Sequence, residues 1–280
     1  MGHAESLTVS LEESYAFCRR IARTRARNFY YSFVLLSRER RNAMCAVYAF
    51  MRFCDDLSDE AGASLAAIEA WRRELDAALA GAYGEHPVWP AFHDTVRRFK
   101  IPHEYFHQMI DGVSSDLQPR TFESFEQLYE YCYHVAGVVG LTTIHIFGFE
   151  SPSAIDLAEK CGVAFQITNI LRDIREDREK GRTYLPAEDI RRFEADLDGY
   201  DQRFIALMRF EAERARAYYR ESRPLIEMID RRSRRSMWAL IEIYRRLLDR
   251  IECADFNVLE GRISLPVREK LIVLARAALM

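Results

Sequence analysis

An all-α fold follows from three observations on this 280-residue chain. Apolar residues recur at helical spacing nearly throughout. Strand-like alternation is nearly absent, and the breaks between periodic segments are short and rich in Pro and Gly. The run Ala43, Val47, Phe50, Met51 and Cys54 exemplifies the helical spacing and leads into an acidic segment. Breaks are expected around Gly81 to Pro90, at Ile101-Pro102, and over Leu117 to Arg120, Gly148 to Pro152 and Tyr184 to Pro186. Ser151-Pro152 marks a helix start, because proline is tolerated in a first turn. Pro186 closes the segment that precedes it. No composition shift, linker or repeat divides the chain, so residues 1–280 are expected to form one all-helical domain, near the upper size for a single core.

The longest apolar stretch, Val135 to Phe149, is interrupted by His145 and two threonines and is shorter than a membrane-spanning helix requires. It is expected to be a buried core helix, so any membrane contact is peripheral. Gly137, Gly140 and Gly148 within it cost helix stability. Close helix packing accounts for them, and small residues also leave room for a long ligand beside the helix.

Nearly half of the residues are apolar, and the formal charge is −3. That balance argues against nucleic acid as a partner. Arginine clusters at Arg231 to Arg235 and Arg245 to Arg250 read as solvated helix faces, with attraction to anionic lipid as the weaker reading. The six cysteines have no CxxC pair and no zinc-type spacing, so free buried thiols in a reducing cytoplasm are expected. No charged-then-apolar leader precedes the first helix, so no secretory signal is expected. His103, His107, His134 and His145 are assigned to packing or surface rather than to metal.

Two acidic segments carry the chemistry. One runs from Arg52 through Asp55, Asp56 and Asp59 to Glu60; the other contains Gln166, Asn169, Arg172, Asp173 and Asp177. Four residues advance a helix by one turn, so Asp55 and Asp59 stack roughly 6 Å apart along the axis. Asn169, Asp173 and Asp177 repeat that stack over two turns, while Ile167, Ile170, Leu171 and Ile174 form a separate apolar stripe. Carboxylates stacked in this way repel unless a cation intervenes. Mg²⁺ suits the arrangement, since it binds through a few carboxylates together with phosphate oxygens. One such motif is most often an ordinary charged helix face; two, each set in apolar and aromatic sequence, make coincidence a poor account. The spacing also describes terpene cyclases and head-to-tail prenyltransferases.

The surrounding residues resemble the squalene/phytoene synthase family. The match lies in Asn28 to Phe33, Tyr48 to Glu60, Tyr131 to Gly140, and Gln166 to Asp177 continuing through Gly181 to Pro186. The last stretch, Q-x-T-N-I-x-R-D-x-x-E-D followed by G-R-x-Y-L-P, is the most specific. The resemblance implies an isoprenoid-synthase helical bundle around one deep cavity, and the head-to-head joining of two identical prenyl diphosphates. It implies that Asp55, Asp56, Asp59, Asn169, Asp173 and Asp177 bind Mg²⁺ and diphosphate. Arg52, Arg172, Arg182 and Arg262 would hold phosphate oxygens, and Gln166 would contact substrate. Phe29, Phe33, Tyr48, Tyr131 and Tyr244 would line the cavity, though aromatic residues at such spacing are core in most helical proteins. The final proton would go to released diphosphate or to Tyr131.

The chain is similar to the shorter bacterial members, without the C-terminal span of the NADPH-using eukaryotic squalene synthases, and it has no Gly-rich nucleotide-binding pattern. Mg²⁺ without NADPH is therefore expected. Two farnesyl diphosphates giving presqualene diphosphate is the first reading. Phytoene synthase, acting on two geranylgeranyl diphosphates, and dehydrosqualene synthase follow. A non-catalytic helical assembly factor is the reading from another class, and retention of every motif acid counts against it. A cytoplasmic protein is expected, with any membrane contact peripheral and at the inner face of the membrane.

Overall fold

The computed structural model describes residues 9–26, 28–59, 64–117 and 120–280, with the side chain of Asp59 outside that set. Helix α1 (Leu11–Arg25) starts at a capping box in which Ser10 and Glu13 satisfy each other's backbone N–H groups. It is followed by α2 (Phe29–Phe33), α3 (Arg38–Asp59), α4 (Leu65–Leu79), α5 (Trp89–Phe99), α6 (Glu104–Ser115) and α7 (Phe125–Cys132). Tyr133–Gly137 then forms a π-helical turn that runs straight into α8 (Val138–Phe147). The remaining helices are α9 (Ser153–Glu179), α10 (Ala187–Phe193), α11 (Gln202–Ser222), α12 (Leu225–Met228), α13 (Arg234–Cys253) and α14 (Val267–Leu279). Among the described residues the one strand-like feature is an isolated bridge between Phe149 and Ile229. The all-α expectation holds, and the expected breaks fall between helices, except that Trp89 and Pro90 at the end of the first already belong to α5; residues 118 and 119 of another break lie outside the described set.

The central helices each carry two working faces. On α3, Ala43, Phe50 and Cys54 are buried against an aromatic cluster, where Phe50 stacks on Phe92 with centroids 4.6 Å apart and meets Phe106 edge-on at 5.5 Å. Trp71 and Trp89 extend that cluster at 4.4 Å. Aromatic packing of this kind fixes α3 in rotation, leaving Tyr48, Met51, Arg52 and Asp55 on another face. On α9, Val163, Ile167, Ile170, Leu171 and Ile174 are buried and α11 packs along the helix. Gln166, Asn169, Asp173 and Asp177 fall on a different side.

The apolar stretch forms the π-helical turn and α8, with Val138, Ile144, Ile146 and Phe147 fully buried. Among the described residues no helix is long and apolar enough to cross a membrane. Of its glycines, Gly140 serves close packing, since a Cβ there would stand 2.4 Å from the Ala158 carbonyl oxygen, and on α9 one at Gly162 would stand 2.3 Å from that of Ala136; Gly148 instead ends α8 with a φ of 82°. The α8 and α9 backbones therefore touch, an approach only glycine allows.

Five cysteines are buried free thiols, as expected, whereas Cys253 is exposed. Behind the loop between α9 and α10, Arg214 donates to buried Asp189 at 2.9 Å and to buried Glu211 at 2.7 Å, with its guanidinium 4.0 Å from the Phe125 ring centroid. Burial pushes the Glu211 carboxyl up to about 7. Ala187 N–H donates to Phe122 O at 2.8 Å, so the loop carrying Arg182 and Tyr184 is anchored at its far end.

Candidate active site

Helices α3 and α9 both line one cavity of about 900 Å³, large for a small-molecule site. From the first acidic segment Arg52 and Asp55 line it; from the second, Gln166, Asn169, Arg172, Asp173 and Asp177 do. Phe29, Phe33, Tyr48, Tyr131, Arg182, Tyr244 and Arg262 complete the set expected from sequence. The Asp59 side chain lies outside the described residues. Asp56 is placed differently from expectation. It is absent from the lining, and its carboxylate is paired with Arg25 at 3.0 Å and with Arg52. A neighbouring position on a helix points about 100° away, so Asp56 orients Arg52 instead of facing the cavity. Its expected metal role has no support in that position.

The charges are arranged for a polyanion. Lining basic residues are Arg25, Arg52, Arg172, Lys180, Arg182, Arg262 and Lys270, against the acids Asp55, Asp116, Asp173, Glu176 and Asp177. Arg52 Nε is buried without a hydrogen-bond partner, a cost that an incoming oxygen acceptor removes. Asp173 is held by Arg172, whose Nε lies 2.7 Å away, and by Arg262 at 3.1 Å. Asp177 has the opposite environment. Burial first, and the nearby Asp173 and Asp116 carboxylates next, push its carboxyl up to about 7 against the pull of Lys180 and Arg182.

Among the described residues no three His, Cys, Asp or Glu side chains converge closely enough to enclose an ion by themselves. The donor set still fits Mg²⁺, which takes one or two carboxylates and completes its shell with waters and phosphate oxygens. The raised Asp177 carboxyl marks where compensating positive charge is short.

The deeper wall is aromatic and apolar. Phe165 stacks on Tyr244 with centroids 4.3 Å apart, and Phe29 approaches the same ring at 5.5 Å. Burial pushes the Tyr244 hydroxyl up to about 12 and that of Tyr48 likewise to about 12. Val135, Val139 and Gly140 continue the wall. Of the histidines, His107 meets Asp76 at 3.3 Å and His134 lies 3.3 Å from the Gln108 carbonyl oxygen, so both are structural.

Several lining residues had no legible signal. Asp116 caps the end of α6, Tyr184 sits inside the G-R-x-Y-L-P stretch, and Arg25 closes α1. None belongs to a spaced acidic or aromatic pattern, and only Tyr184 falls in a stretch that the resemblance covers.

A helical shell in which two acid-bearing helices line one cavity with basic and aromatic residues is the isoprenoid-synthase arrangement of prenyltransferases. The chain belongs to the squalene/phytoene synthase family, whose model matches residues 22–269. It is 36% identical over 290 aligned residues to the 15-cis-phytoene synthase of Synechococcus elongatus, covering 96% of this chain and 94% of that protein. It is 38% identical to the phytoene synthase of Mycobacterium tuberculosis, covering 95% and 91%. Its fold matches a crystal structure of a dehydrosqualene synthase in complex with ligand, with a TM-score of 0.90, 30% identity and 96% of each chain covered. The squalene synthase HpnC of Alicyclobacillus acidocaldarius matches with a TM-score of 0.82 and 29% identity, covering 88% of this chain and 96% of HpnC.

Proposed function

We propose that the chain, acting as one catalytic unit over residues 1–280, condenses two identical prenyl diphosphates head to head and releases diphosphate. The observation that carries this reading is the single cavity that joins both acidic helices, a basic rim and a long aromatic wall. Breaking an allylic C–O bond requires the departing diphosphate's charge to be neutralised, and Arg52, Arg172, Arg182 and Arg262 are the guanidinium groups for it. Asp55, Asp59, Asn169, Asp173 and Asp177 are the residues to hold Mg²⁺, which when bound supplies Lewis-acid stabilisation of the leaving group. The Phe165, Tyr244 and Phe29 rings offer π-faces to a carbocation without attacking it, and the apolar wall keeps water from it.

The relatives named phytoene synthase support two geranylgeranyl diphosphates as substrates and phytoene as product. That moves phytoene level with presqualene diphosphate, which the sequence alone placed first. Two farnesyl diphosphates stand beside it as an equal reading, supported by the neighbour named dehydrosqualene synthase. The test is a product assay: purified protein, Mg²⁺ and either prenyl diphosphate without NADPH, with lipids read by mass spectrometry. A C40 hydrocarbon from the C20 substrate supports the first reading, and a C30 cyclopropyl diphosphate or C30 hydrocarbon from the C15 substrate supports the second. No coupled product from either removes the assignment.

Peripheral contact with the cytoplasmic face of the membrane is part of the same reading. Val267, Leu271, Ala275 and Leu279 recur every four residues along α14 and are exposed, beside Arg268 and Arg276. An apolar ridge flanked by arginines suits an anionic bilayer, where substrates with long prenyl chains reside.

A further inference from the structure

Asp116 is the lining carboxylate that belongs to neither acidic helix. It follows the last residue of α6, and both of its oxygens are engaged by phenols. Tyr131 donates to Oδ2 at 2.9 Å, and Tyr184 donates to Oδ1 at 3.1 Å. Arg182 donates to its backbone carbonyl at 3.1 Å. The two phenol rings stack with centroids 5.1 Å apart and planes 27° apart, and Phe122 packs against Tyr131 at 5.3 Å and against Tyr184 at 6.1 Å. Three separate segments thus converge: the end of α6, the end of α7, and the loop after α9. Tyr131 is only 4% exposed, yet it lines the cavity. Tyr131 and Asp116 thus both border the ligand space, joined by the hydrogen bond from the Tyr131 hydroxyl to the carboxylate.

We infer that Asp116 receives the proton released in the coupling reaction, acting through Tyr131. This rests on the head-to-head reading above. When the C–O bond breaks, diphosphate leaves with the electron pair, and the double bond of the second molecule attacks the resulting carbon cation. A C–H bond on the newly attached carbon, one atom removed from the new cation, then breaks, and its electrons form the bond to the cationic carbon that closes a cyclopropane. The proton passes to Tyr131 Oη as the Tyr131 proton moves along the existing hydrogen bond to Asp116 Oδ2. The carboxylate ends neutral, the tyrosine is unchanged, and charge balances.

A phenol alone is a poor acceptor, because its protonated form is a strong acid and its ionised form is disfavoured here. Burial, together with Asp116 itself, raises Tyr131 well above the ordinary phenol range. Coupling the transfer to a hydrogen-bonded carboxylate removes both difficulties. Tyr184 holds the second oxygen and so fixes the carboxylate's orientation. Asp116 touches no substrate in this scheme; it is a positioning and proton-accepting partner of Tyr131.

The experiment compares full-length parent protein with Asp116→Asn, Asp116→Glu and Tyr131→Phe, using Mg²⁺ and whichever prenyl diphosphate the parent couples. Diphosphate release, coupled product and prenyl alcohol are quantified together. In Asp116→Asn the coupled share of released diphosphate is expected to fall about tenfold or more, with water-quenched alcohol rising in its place. Asp116→Glu is expected to recover part of that share, and Tyr131→Phe to match Asp116→Asn. A parental coupled share in Asp116→Asn, at any total rate, overturns the inference and leaves diphosphate as the base. So does a proportional loss of release and coupling together, which marks a structural role. Should Asp116→Asn fail to fold, Tyr131→Phe, which deletes one hydroxyl, carries the same comparison. A parent that forms no coupled product sinks the functional reading instead.

Discussion

Arg262 reaches from the loop ahead of α14 to Asp173 on α9, with 3.1 Å between its Nη2 and a carboxylate oxygen, and its Nη1 lies 2.9 Å from Glu176. The carboxylate assigned to metal is therefore capped by arginine. On the proposed reading, Asp173 would exchange this cap for a metal and diphosphate, and the freed Arg262 guanidinium would be available to phosphate oxygens. If Arg262 serves diphosphate binding as proposed, Arg262→Ala is expected to raise KM about tenfold with a smaller change in kcat. Steady-state kinetics on the prenyl diphosphate checks this, and an unchanged KM would take Arg262 out of the diphosphate site.

Asp177 ties stability to pH in the metal-free protein. Its folded-state carboxyl sits at about 7, raised from 3.8. Between those values the folded state binds more protons than the unfolded one, so stability falls as pH rises through that window and levels off above it. Thermal melts in EDTA should show this decline, and Asp177→Asn should flatten it. Above neutral pH the same substitution should raise the metal-free melting temperature by about 3 °C or more while abolishing turnover. A pH-independent melting curve in the parent protein contradicts this account.

Asp55 is exposed at the cavity wall, and no buried packing depends on it. Asp55→Ala should melt within about 2 °C of the parent but lose product formation by about a hundredfold or more. EDTA should stop diphosphate release and added Mg²⁺ restore it; release that survives in metal-free buffer counts against metal dependence.

The contact between α8 and α9 has no room for a methyl group. Gly162→Ala places a Cβ 2.3 Å from the Ala136 carbonyl oxygen and 2.9 Å from the Gly137 Cα. Backbone on both sides cannot yield cheaply, so about 2–3 kcal/mol of destabilisation is expected, read as a fall in melting temperature by differential scanning calorimetry. An unchanged melting temperature would mean that the helices separate without cost.

On α14, Leu271 is 53% exposed and Leu279 is 89% exposed. The double substitution Leu271→Glu, Leu279→Glu should leave turnover in detergent unchanged but lower co-sedimentation with anionic vesicles about tenfold. Equal sedimentation of both proteins would remove α14 from the membrane reading.

Much of the fold was legible because helical periodicity and Pro or Gly breaks are local signals. The cavity face of α9 was readable for the same reason: Asn169, Asp173 and Asp177 are spaced by single turns, apart from the stripe of Ile167, Ile170 and Ile174. Asp56 was misplaced because adjacency in a DDxxD run hides a 100° rotation, and only the structure brings Arg25 to it. Asp116 was invisible for the opposite reason. Its partners Tyr131 and Tyr184 lie 15 and 68 residues away, and no spacing rule joins three segments that meet only in three dimensions.

The π-helical turn at Tyr133–Gly137 acts as a phase correction along the cavity wall. Tyr131, Val135, Val139 and Thr143 all line the cavity at four-residue steps. An uninterrupted α-helix drifts about 40° per such step, or roughly 120° over the three. The wider turn takes up an extra residue and winds that drift back, so one straight rail of side chains accompanies the ligand. Inserting or deleting a single residue there would rotate Val139 and Thr143 out of line with Tyr131, a change in the cavity's outline that no exchange of one side chain for another reproduces.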